Sequence, residues 1–584
     1  MYRPKQGKEA GGNQMEKWFV AMKKADFNAV SEKYKISPIL ARLIRNREVT
    51  EEKEIELYLN GTKADLYDGM RMKDMDAAVR ILTEKIRGNK KLRVIGDYDI
   101  DGVNATYILQ TGLGRLGADV DTDIPDRIRD GYGLNRMLID RALEDGIDTI
   151  ITCDNGIAAS EEIRYGRENG LTVIVTDHHE VPYTEEDGTK KYILPPADAV
   201  IDPHRADCGY PFKGLCGAAV AYKLVEALYR SMERDPEEVG FLIENVAVAT
   251  IGDVMDLQGE NRIFVRIGLE KMRHTENKGL EALMECTGID PELLNSYHIG
   301  FVIGPCINAG GRLDTAKRAL ELLNAKTKRE AVVLAEDLKA LNESRKEMTE
   351  QGVLQAVEMI ENSEMKEDKV LVVYLPDCHE SIAGIIAGRI RERYSRPVFV
   401  LTDAEDGAKG SGRSIEAYDM FAQMCRCREI FTKFGGHKLA AGLSLKKENI
   451  DLFRRRINEL SELTEEDLIE KVSIDMQLPF PYITEKLINE LKLLEPFGKG
   501  NPKPLFAEKG VRVKNPRIIG KNRNVLKCTL EDRQGTRMEA VYFGDVEDCM
   551  NEMSSGREMA FTYYPSVNEY MGKRTLQVTI ANYR

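Results

Sequence analysis

The stretch KLRVIGDYDIDGVNATYILQTGLGRLG at 91–117 decides how the rest of the chain is read. An apolar run, LRVIG, gives way to alternate aspartates at Asp97, Asp99 and Asp101, then to a pattern of helical period, so a buried strand turns into a helix through an acidic loop. The alternation continues outward: strand-like VDTDIP, helix-like NRMLIDRALEDG, strand DTIITC, helix ASEEIRYGRENG, strand LTVIVT. Strands alternating with helices mean βαβ units and a parallel sheet. Two rival readings of this stretch fail on its residues. A calcium EF-hand also opens D-x-D-x-D-G, but its twelfth position must be a bidentate Glu and is Ile108 here, and a strand stands where a helix should precede it. Gly112, Gly114 and Gly117 have G-x-G-x-x-G spacing, yet they end a helix, whereas a dinucleotide fingerprint follows a strand.

In open parallel sheets, ligands bind outside the carboxyl ends of the strands. DTIITCDNG puts Asp154 at such an end, LTVIVTDHH puts Asp177, His178 and His179 at another, and a fourth apolar run, VAVATIGDVMDL, supplies Asp253 and Asp256. One such Asp alone reads as a helix N-cap and one such His as an ordinary polar residue; their joint occurrence points to a shared crevice. Carboxylates with one or two imidazoles and no paired thiolates favour Mn²⁺ or Mg²⁺ over structural zinc, and several Asp around a small crevice imply two ions. Two metals about 4 Å apart can activate a water and stabilise both the attacking and leaving oxygens of a phosphoryl displacement, while an unligated imidazole handles a proton. Phosphoester hydrolysis is the expected chemistry.

The 584 residues are enough for about three to five domains, and with 42% hydrophobic and 31% charged residues the chain reads as globular and water-soluble. No apolar run approaches the roughly 20 residues that span a bilayer, residues 1–9 lack an apolar signal segment, and the ten cysteines include no CxxC pair. A cytoplasmic, reducing location without a membrane partner is expected. The net charge of −13 argues against a nonspecific polyanion binder, but residues 501–584 carry 14 Lys plus Arg against 10 Asp plus Glu. That locally basic tail suits a nucleic-acid module, and a merely solvated surface explains it as well.

The expected fold is α/β. Residues 1–75 form a polar tail and helical segment, with order beginning near Met15, an alternative start; 76–270 form the parallel-sheet catalytic domain. Residues 271–362 form a helical region ending in a connector helix, marked by Leu334, Leu338, Leu341 and Met348 at helical spacing. Then VLVVYLP, IAGIIAGRIRERY and PVFVLT make a second, smaller α/β domain over 363–465, and the short alternating segments of 466–584 make an all-β, barrel-like tail.

GDYDIDG, TCDNG, VTDHH and the Asp253 segment resemble, in order, the four motifs of the DHH phosphoesterase family. The His379-Glu380-Ser381 region, IAGIIAGRI, GSGRS at 410–414 and GGHKLAAG at 435–442 resemble its DHHA1 module. IPDRIRDGYGLN, YPFKGLCGAAVAYKL, GPCINAGGRLDTA and LEPFGKGNPKPLF are similar to segments of the family's single-strand-specific exonuclease branch, so the likeness covers nearly everything after Met15. It implies that Asp97, Asp99 and Asp154 hold one metal and that Asp101, Asp154, His178 and Asp253 hold the other, with Asp154 bridging and His179 facing the scissile phosphate. Asp101, Asp154, Asp177 and His179 are then the catalytic groups. Mn²⁺ or Mg²⁺ as two ions, single-stranded DNA cut from its 5′ end to mononucleotides, an OB-like C-terminal domain, a repair or recombination role, and a helicase and a single-strand-binding protein as partners are implied likewise.

Recognition of a terminal phosphate calls for guanidinium forks and hydroxyls, and Arg127, Arg312, Ser411 and Arg413 are the candidates, with interdomain salt bridges as the plain alternative. Gly436 and His437 in GGH offer close backbone approach and an imidazole, and His379 is a candidate for the DNA backbone or the domain interface. Specificity for single strands is expected from a narrow tunnel between the two α/β domains. In the tail, Tyr542, Phe543, Tyr563 and Tyr564 near Lys521, Arg523 and Lys527 are available for stacking. Two departures from the family's pattern stand out: in GPCINAGGRL Cys306 replaces a basic residue and Gly310 a small apolar one, and Cys378 precedes His379 where an aromatic is common. Competing readings are a phosphodiesterase for short oligonucleotides or cyclic dinucleotides, against which the long tail speaks, and a silent DNA-binding scaffold, against which the full set of acids speaks.

Overall fold

The computed structural model describes residues 16–584 apart from 128, 132, 187–188, 521, 555 and 571. The expected onset of order at Met15 and the stacking-platform Lys521 therefore lie outside the described residues. The chain forms two compact units: Arg47–Glu343 together with Leu493–Pro502, and the remaining residues.

The first unit holds the parallel sheet. Its five strands are Asp119–Asp123, Lys91–Ile95, Thr149–Cys153, Thr172–Thr176 and Ala199–Ile201, hydrogen-bonded in that order and all parallel. Leu92, Val94, Ile95, Ile151, Ile174, Val175 and Ile201 are fully buried. A sheet covered on both faces needs mostly apolar strands, and LRVI, TIITC and TVIVT supply them, with Arg93 paired to Asp121 and Asp145 and with Thr149, Thr152 and Thr176 buried. Helices Ile100–Arg115, Gly217–Ser231 and Ile243–Gly252 pack together in one core, with Val103, Leu109, Val220, Leu224, Val246 and Val248 all at 0% exposure. The fourth apolar run is thus a helix, and Asp253 caps its C-terminus, whereas the other acids follow strands. Val246, Ala247, Val248 and Ala249 are apolar at consecutive positions because this part of the helix is buried all round. Gly112 and Gly114 lie inside the helix Ile100–Arg115, as their position at the end of a helical pattern requires.

The helix Lys328–Glu361 is unbroken over 34 residues, roughly 50 Å at 1.5 Å per residue, and it starts in one unit and ends in the other. In the second unit a five-stranded sheet runs Phe431–His437, Ala440–Leu445, Gly407–Arg413, Val398–Ala404, Leu371–Tyr374, with the helix Glu380–Tyr394 packed on it. Only the last two of these strands are parallel; hairpins supply the others.

The C-terminal strands Phe506–Ile519, Val525–Glu531, Arg537–Tyr542, Lys573–Tyr583 and Met559–Tyr570 pair successively, and the last pairs back with the first, so the sheet closes into a ring. This tail is not all-β, because helices Glu485–Leu491 and Val546–Met553 accompany it. Tyr563, offered for stacking, is instead core: it is fully buried and its hydroxyl donates to the Leu478 carbonyl. Near the N-terminus the strand Lys17–Val20 pairs in parallel with Lys471–Ile474, where a helical segment alone was expected. Its partner lies some 450 positions away in sequence, so local periodicity cannot announce it.

Candidate metal centre

The sheet register lines up the acids. Ile95 pairs with Thr152, Cys153 with Thr176 and Thr176 with Ile201, so Asp97, Asp154, Asp177 and Asp202 stand side by side just past the ends of four neighbouring strands. Strands are roughly 4.8 Å apart, which places four carboxyl groups in one row. All four residues are at most 3% exposed. Asp154 adopts φ +60°, a left-handed turn that Asp tolerates better than most side chains.

Asp99 caps the helix Ile100–Arg115, accepting from the Asp101 and Gly102 amides at 2.9 and 3.1 Å. Asp101, one turn in, accepts from the Gly217 and Ala218 amides at 2.6 and 2.8 Å, at the positive N-terminus of the helix Gly217–Ser231. A Cβ on Gly217 would lie 2.7 Å from the Asp154 Cβ, so this helix end can approach the row only as glycine. His178 Nε2 is 3.0 Å from Asp154 Oδ1, 3.5 Å from Asp101 Oδ2 and 3.8 Å from Asp253 Oδ2. Ligand atoms of Asp97, Asp99 and Asp154, of Asp101, His178 and Asp253, and of Asp154, His178 and His179 form three sets, each within 4.8 Å. The structure therefore brings together all six residues named as metal ligands.

The electrostatics of this cluster call for cations. Burial, then the charge of Asp99, pushes Asp97 well above the ordinary carboxyl range; burial, then the charges of Asp101, Asp99, Asp97 and Asp253, does the same to Asp154. Asp253 is pushed up to about 8 by burial and by Asp101 and Asp99. Asp101 is also raised, because burial outweighs His178 and the two amides. Asp97 Oδ1 is buried without a hydrogen-bond partner. Such acids either take up protons or hold divalent cations. Hard oxygens with one imidazole and no thiolate fit Mn²⁺ or Mg²⁺.

The second imidazole has a different setting. His179 Nδ1 donates to Asp177 Oδ1 at 2.7 Å, and Asp177 also accepts from the Ile157 amide at 2.9 Å. Burial works to lower the His179 pKa, but the hydrogen bond and charge of Asp177 outweigh it and hold it at about 9. Burial works to raise Asp177, and His179, His178 and the Ile157 amide together bring it below its ordinary value. His178 is lowered, burial being the largest cause, which keeps its ring neutral as a metal ligand must be.

The other candidate residues fall in two places. Arg127 lies over the Tyr98 ring at 4.8 Å, and the charges of Arg127 and Arg312 both act on Tyr98, next to Asp97 and Asp99. In the second unit, Arg413 donates to Ser411 Oγ at 3.0 Å, and both sit against Gly384, where a Cβ would meet each at 2.8 Å. Arg413 is opposite Ala440, which is opposite His437, so Ser411, Arg413 and His437 share one sheet face. Gly436 adopts φ +153° beside Ala441. His379 caps the helix Glu380–Tyr394 and its Nδ1 is 2.7 Å from Ser381 Oγ. Cys306 is buried, with Sγ 3.4 Å from Asn342 Nδ2, and Cys378 is half-buried. Asp202 escaped the sequence reading. Its strand, AVI, is only three residues long, and the Asp after it was the available signal. Burial and the Asp177 charge push it up to about 7.

With this geometry in view, the comparisons with known proteins agree. Residues 91–250 match the DHH family N-terminal domain, 367–462 the DHHA1 domain and 474–582 the RecJ OB domain. The chain is 35% identical to the single-stranded-DNA-specific exonuclease RecJ of Bacillus subtilis over 94% of this chain and 68% of that protein. It is 34% identical to that of Escherichia coli over 94% and 96%. The crystal structure of RecJ in complex with Mn²⁺ from Thermus thermophilus superposes with a TM-score of 0.81 at 29% identity, covering 97% of this chain and 79% of that one. The chain belongs to the RecJ family of exonucleases, built from DHH, DHHA1 and RecJ OB domains.

Proposed function

We propose that the chain is a metal-dependent exonuclease that hydrolyses single-stranded DNA from the 5′ end to 5′-mononucleotides, in DNA repair and recombination. The observation that carries this is the row Asp97, Asp154, Asp177 and Asp202 with His178 and His179 at its rim: a dense, buried set of acids beside an imidazole–carboxylate pair. Asp97, Asp99 and Asp154 would hold one Mn²⁺ or Mg²⁺, and Asp101, Asp154, His178 and Asp253 the other. When bound, the pair of ions supplies an activated water and charge stabilisation for the displaced oxygen.

The chain's own residues do the rest. The Gly217 and Ala218 amides fix the Asp101 carboxylate, and Asp99 is fixed by two amides of its own helix, so neither must reorganise when a cation arrives. Asp177 keeps the His179 ring oriented and its Nδ1 protonated, which leaves Nε2 to exchange a proton with the phosphate or the leaving oxygen. Arg127 and Arg312 beside Tyr98 supply guanidinium charge for the phosphates of the strand, and Ser411, Arg413, Gly436, His437 and His379 contact the DNA from the DHHA1 part. The relatives' names support DNA as the substrate, and the RecJ OB match supports a polymer over a dinucleotide. Partners that unwind and coat DNA suit this activity, and a cytoplasmic location suits a DNA substrate. Among the described residues no helix is long and apolar enough to cross a membrane.

The test is digestion of single-stranded oligonucleotides labelled at either end, with Mn²⁺, beside duplex DNA and a dinucleotide. Labelled mononucleotide appearing at once from the 5′ label, late from the 3′ label and not from duplex is the expected result. Attack from the 3′ end overturns the polarity, and digestion of the dinucleotide alone overturns the substrate.

A further inference from the structure

Ten residues, Leu493–Pro502, leave the C-terminal part of the sequence and pack in the same unit as the metal centre. Polar side chains fix this strap. Arg262, among the largest fully buried side chains, donates to the carbonyls of Tyr58 and Leu494 at 2.9 Å and of Leu493 at 2.8 Å. Asn501, also fully buried, donates to the Leu494 and Pro496 carbonyls at 2.7 Å and accepts from the Tyr58 hydroxyl at 2.8 Å. Ser296 Oγ donates to the Phe497 carbonyl, Gln258 Nε2 to the Gly500 carbonyl at 2.9 Å, and the Leu257 amide to the Lys499 carbonyl at 2.8 Å. The last two bonds seat Lys499 against the loop that follows Asp253. Gly500 has φ +70°, and a Cβ there would lie 3.0 Å from the Asp256 Cβ.

So well fixed a backbone presents a side chain that the fold does not need. Lys499 is 60% exposed, and its ammonium lies 3.6 Å from Asp256 Oδ1, itself 57% exposed. An ion pair of that length in solvent stabilises little. Yet Lys499 stands against the loop that leaves the metal centre, its carbonyl held by the Leu257 amide and its ammonium beside Asp256, three residues past Asp253. A polyanionic strand entering a crevice of aspartates needs cations at the rim. A lysine is a compact charge on a flexible stem, and an exposed one sheds little ordered structure to meet a phosphate. A pinned backbone fixes where the stem begins, so only the side-chain rotamers remain to be ordered.

We propose that Lys499 neutralises one backbone phosphate of the single strand bound at the metal centre, as a substrate-positioning residue delivered by the strap. This rests on the exonuclease reading above. Each phosphate neutralised on a single strand contributes about 0.7 to the slope of log affinity against log salt.

The experiment measures kcat/KM on a single-stranded oligonucleotide across NaCl concentrations at fixed, saturating Mn²⁺. Lys499→Gln is expected to raise KM several-fold with kcat little changed and to flatten the salt slope by about 0.7, while Lys499→Arg keeps the slope. Lys53→Gln removes the same charge from an exposed residue of the helix Glu52–Asn60 and is expected to leave the slope unchanged. An unchanged slope in Lys499→Gln, or an equal flattening in Lys53→Gln, overturns the proposal. So does a shift in the Mn²⁺ half-saturation of Lys499→Gln without a change in slope, because the ammonium would then act on Asp253 alone. Wild-type protein inert on single strands overturns the exonuclease reading, and this proposal with it; active wild type with an unaltered Lys499→Gln slope overturns this proposal alone.

Discussion

Asp177 and His179 form a pair whose two members serve each other, and each can be tested alone. Asp177→Asn keeps the shape but replaces a proton acceptor by an amide, so the His179 ring loses the bond that sets its tautomer. It is expected to lower kcat by roughly 10²-fold or more, with KM for single-stranded DNA little changed, in steady-state assays. The titrating groups make a second prediction. Asp253 sits at about 8 against an ordinary 3.8, and His179 at about 9 against 6.5. Both hold a proton more tightly folded than unfolded, so what they add to stability is present at low pH and is lost as pH rises, between about 4 and 8 for Asp253 and between 6.5 and 9 for His179. The unfolding temperature of the metal-free protein is therefore expected to fall from pH 6 to pH 9. Mn²⁺ should restore it by replacing protons among the carboxylates. A metal-free unfolding temperature that rises over this range contradicts the assignment. At this scale the sequence was informative wherever an acid followed a long apolar run, as at Asp97, Asp154 and Asp177. At Asp202 the same signal was too short to stand out, because its strand has only three residues.

Elements explain why the residues converge. Four strands end level, and two helix N-termini, at Ile100 and Gly217, close on the row they leave. Gly217→Ala places a methyl group against Asp154 and is expected to weaken Mn²⁺ binding by roughly 10- to 100-fold in calorimetric titration, while the protein stays folded. The strap is an element as well, although it contains no α-helix or strand. Arg262→Ala takes a donor from three carbonyls, of which Leu494 keeps the Asn501 amide, and opens a cavity, and is expected to destabilise the DHH unit by about 3 kcal/mol in urea unfolding. The βαβ elements were legible in sequence because a doubly covered parallel sheet writes its strands as mostly apolar runs. The helix ending at Asp253 was not distinguished from a strand, since full burial erases the period of both. The strand Lys17–Val20 was missed because its partner, Lys471–Ile474, is remote in sequence.

For the whole molecule, the strap changes what a truncation can show. Trimming after about residue 460, a natural way to separate action on long DNA from action on a dinucleotide, also removes Leu493–Pro502 and leaves the buried Arg262 guanidinium without two of its three acceptors. Loss of activity in such a fragment would report on the DHH unit as much as on the tail. The order of the DHH, DHHA1 and OB parts was legible because each carries its own local patterns. The interleaving of the units was not, because it depends on polar contacts between segments hundreds of residues apart. The central claim is that one buried aspartate, Asp154, joins two metal sites on which hydrolysis depends. Equilibrium dialysis against Mn²⁺, with single-strand digestion measured on the same samples of wild type and Asp154→Ala, tests it most directly. About two ions per wild-type chain with digestion are expected, and at most about one per variant chain with digestion reduced by on the order of 10³-fold. Two ions bound and undiminished digestion in Asp154→Ala would contradict it.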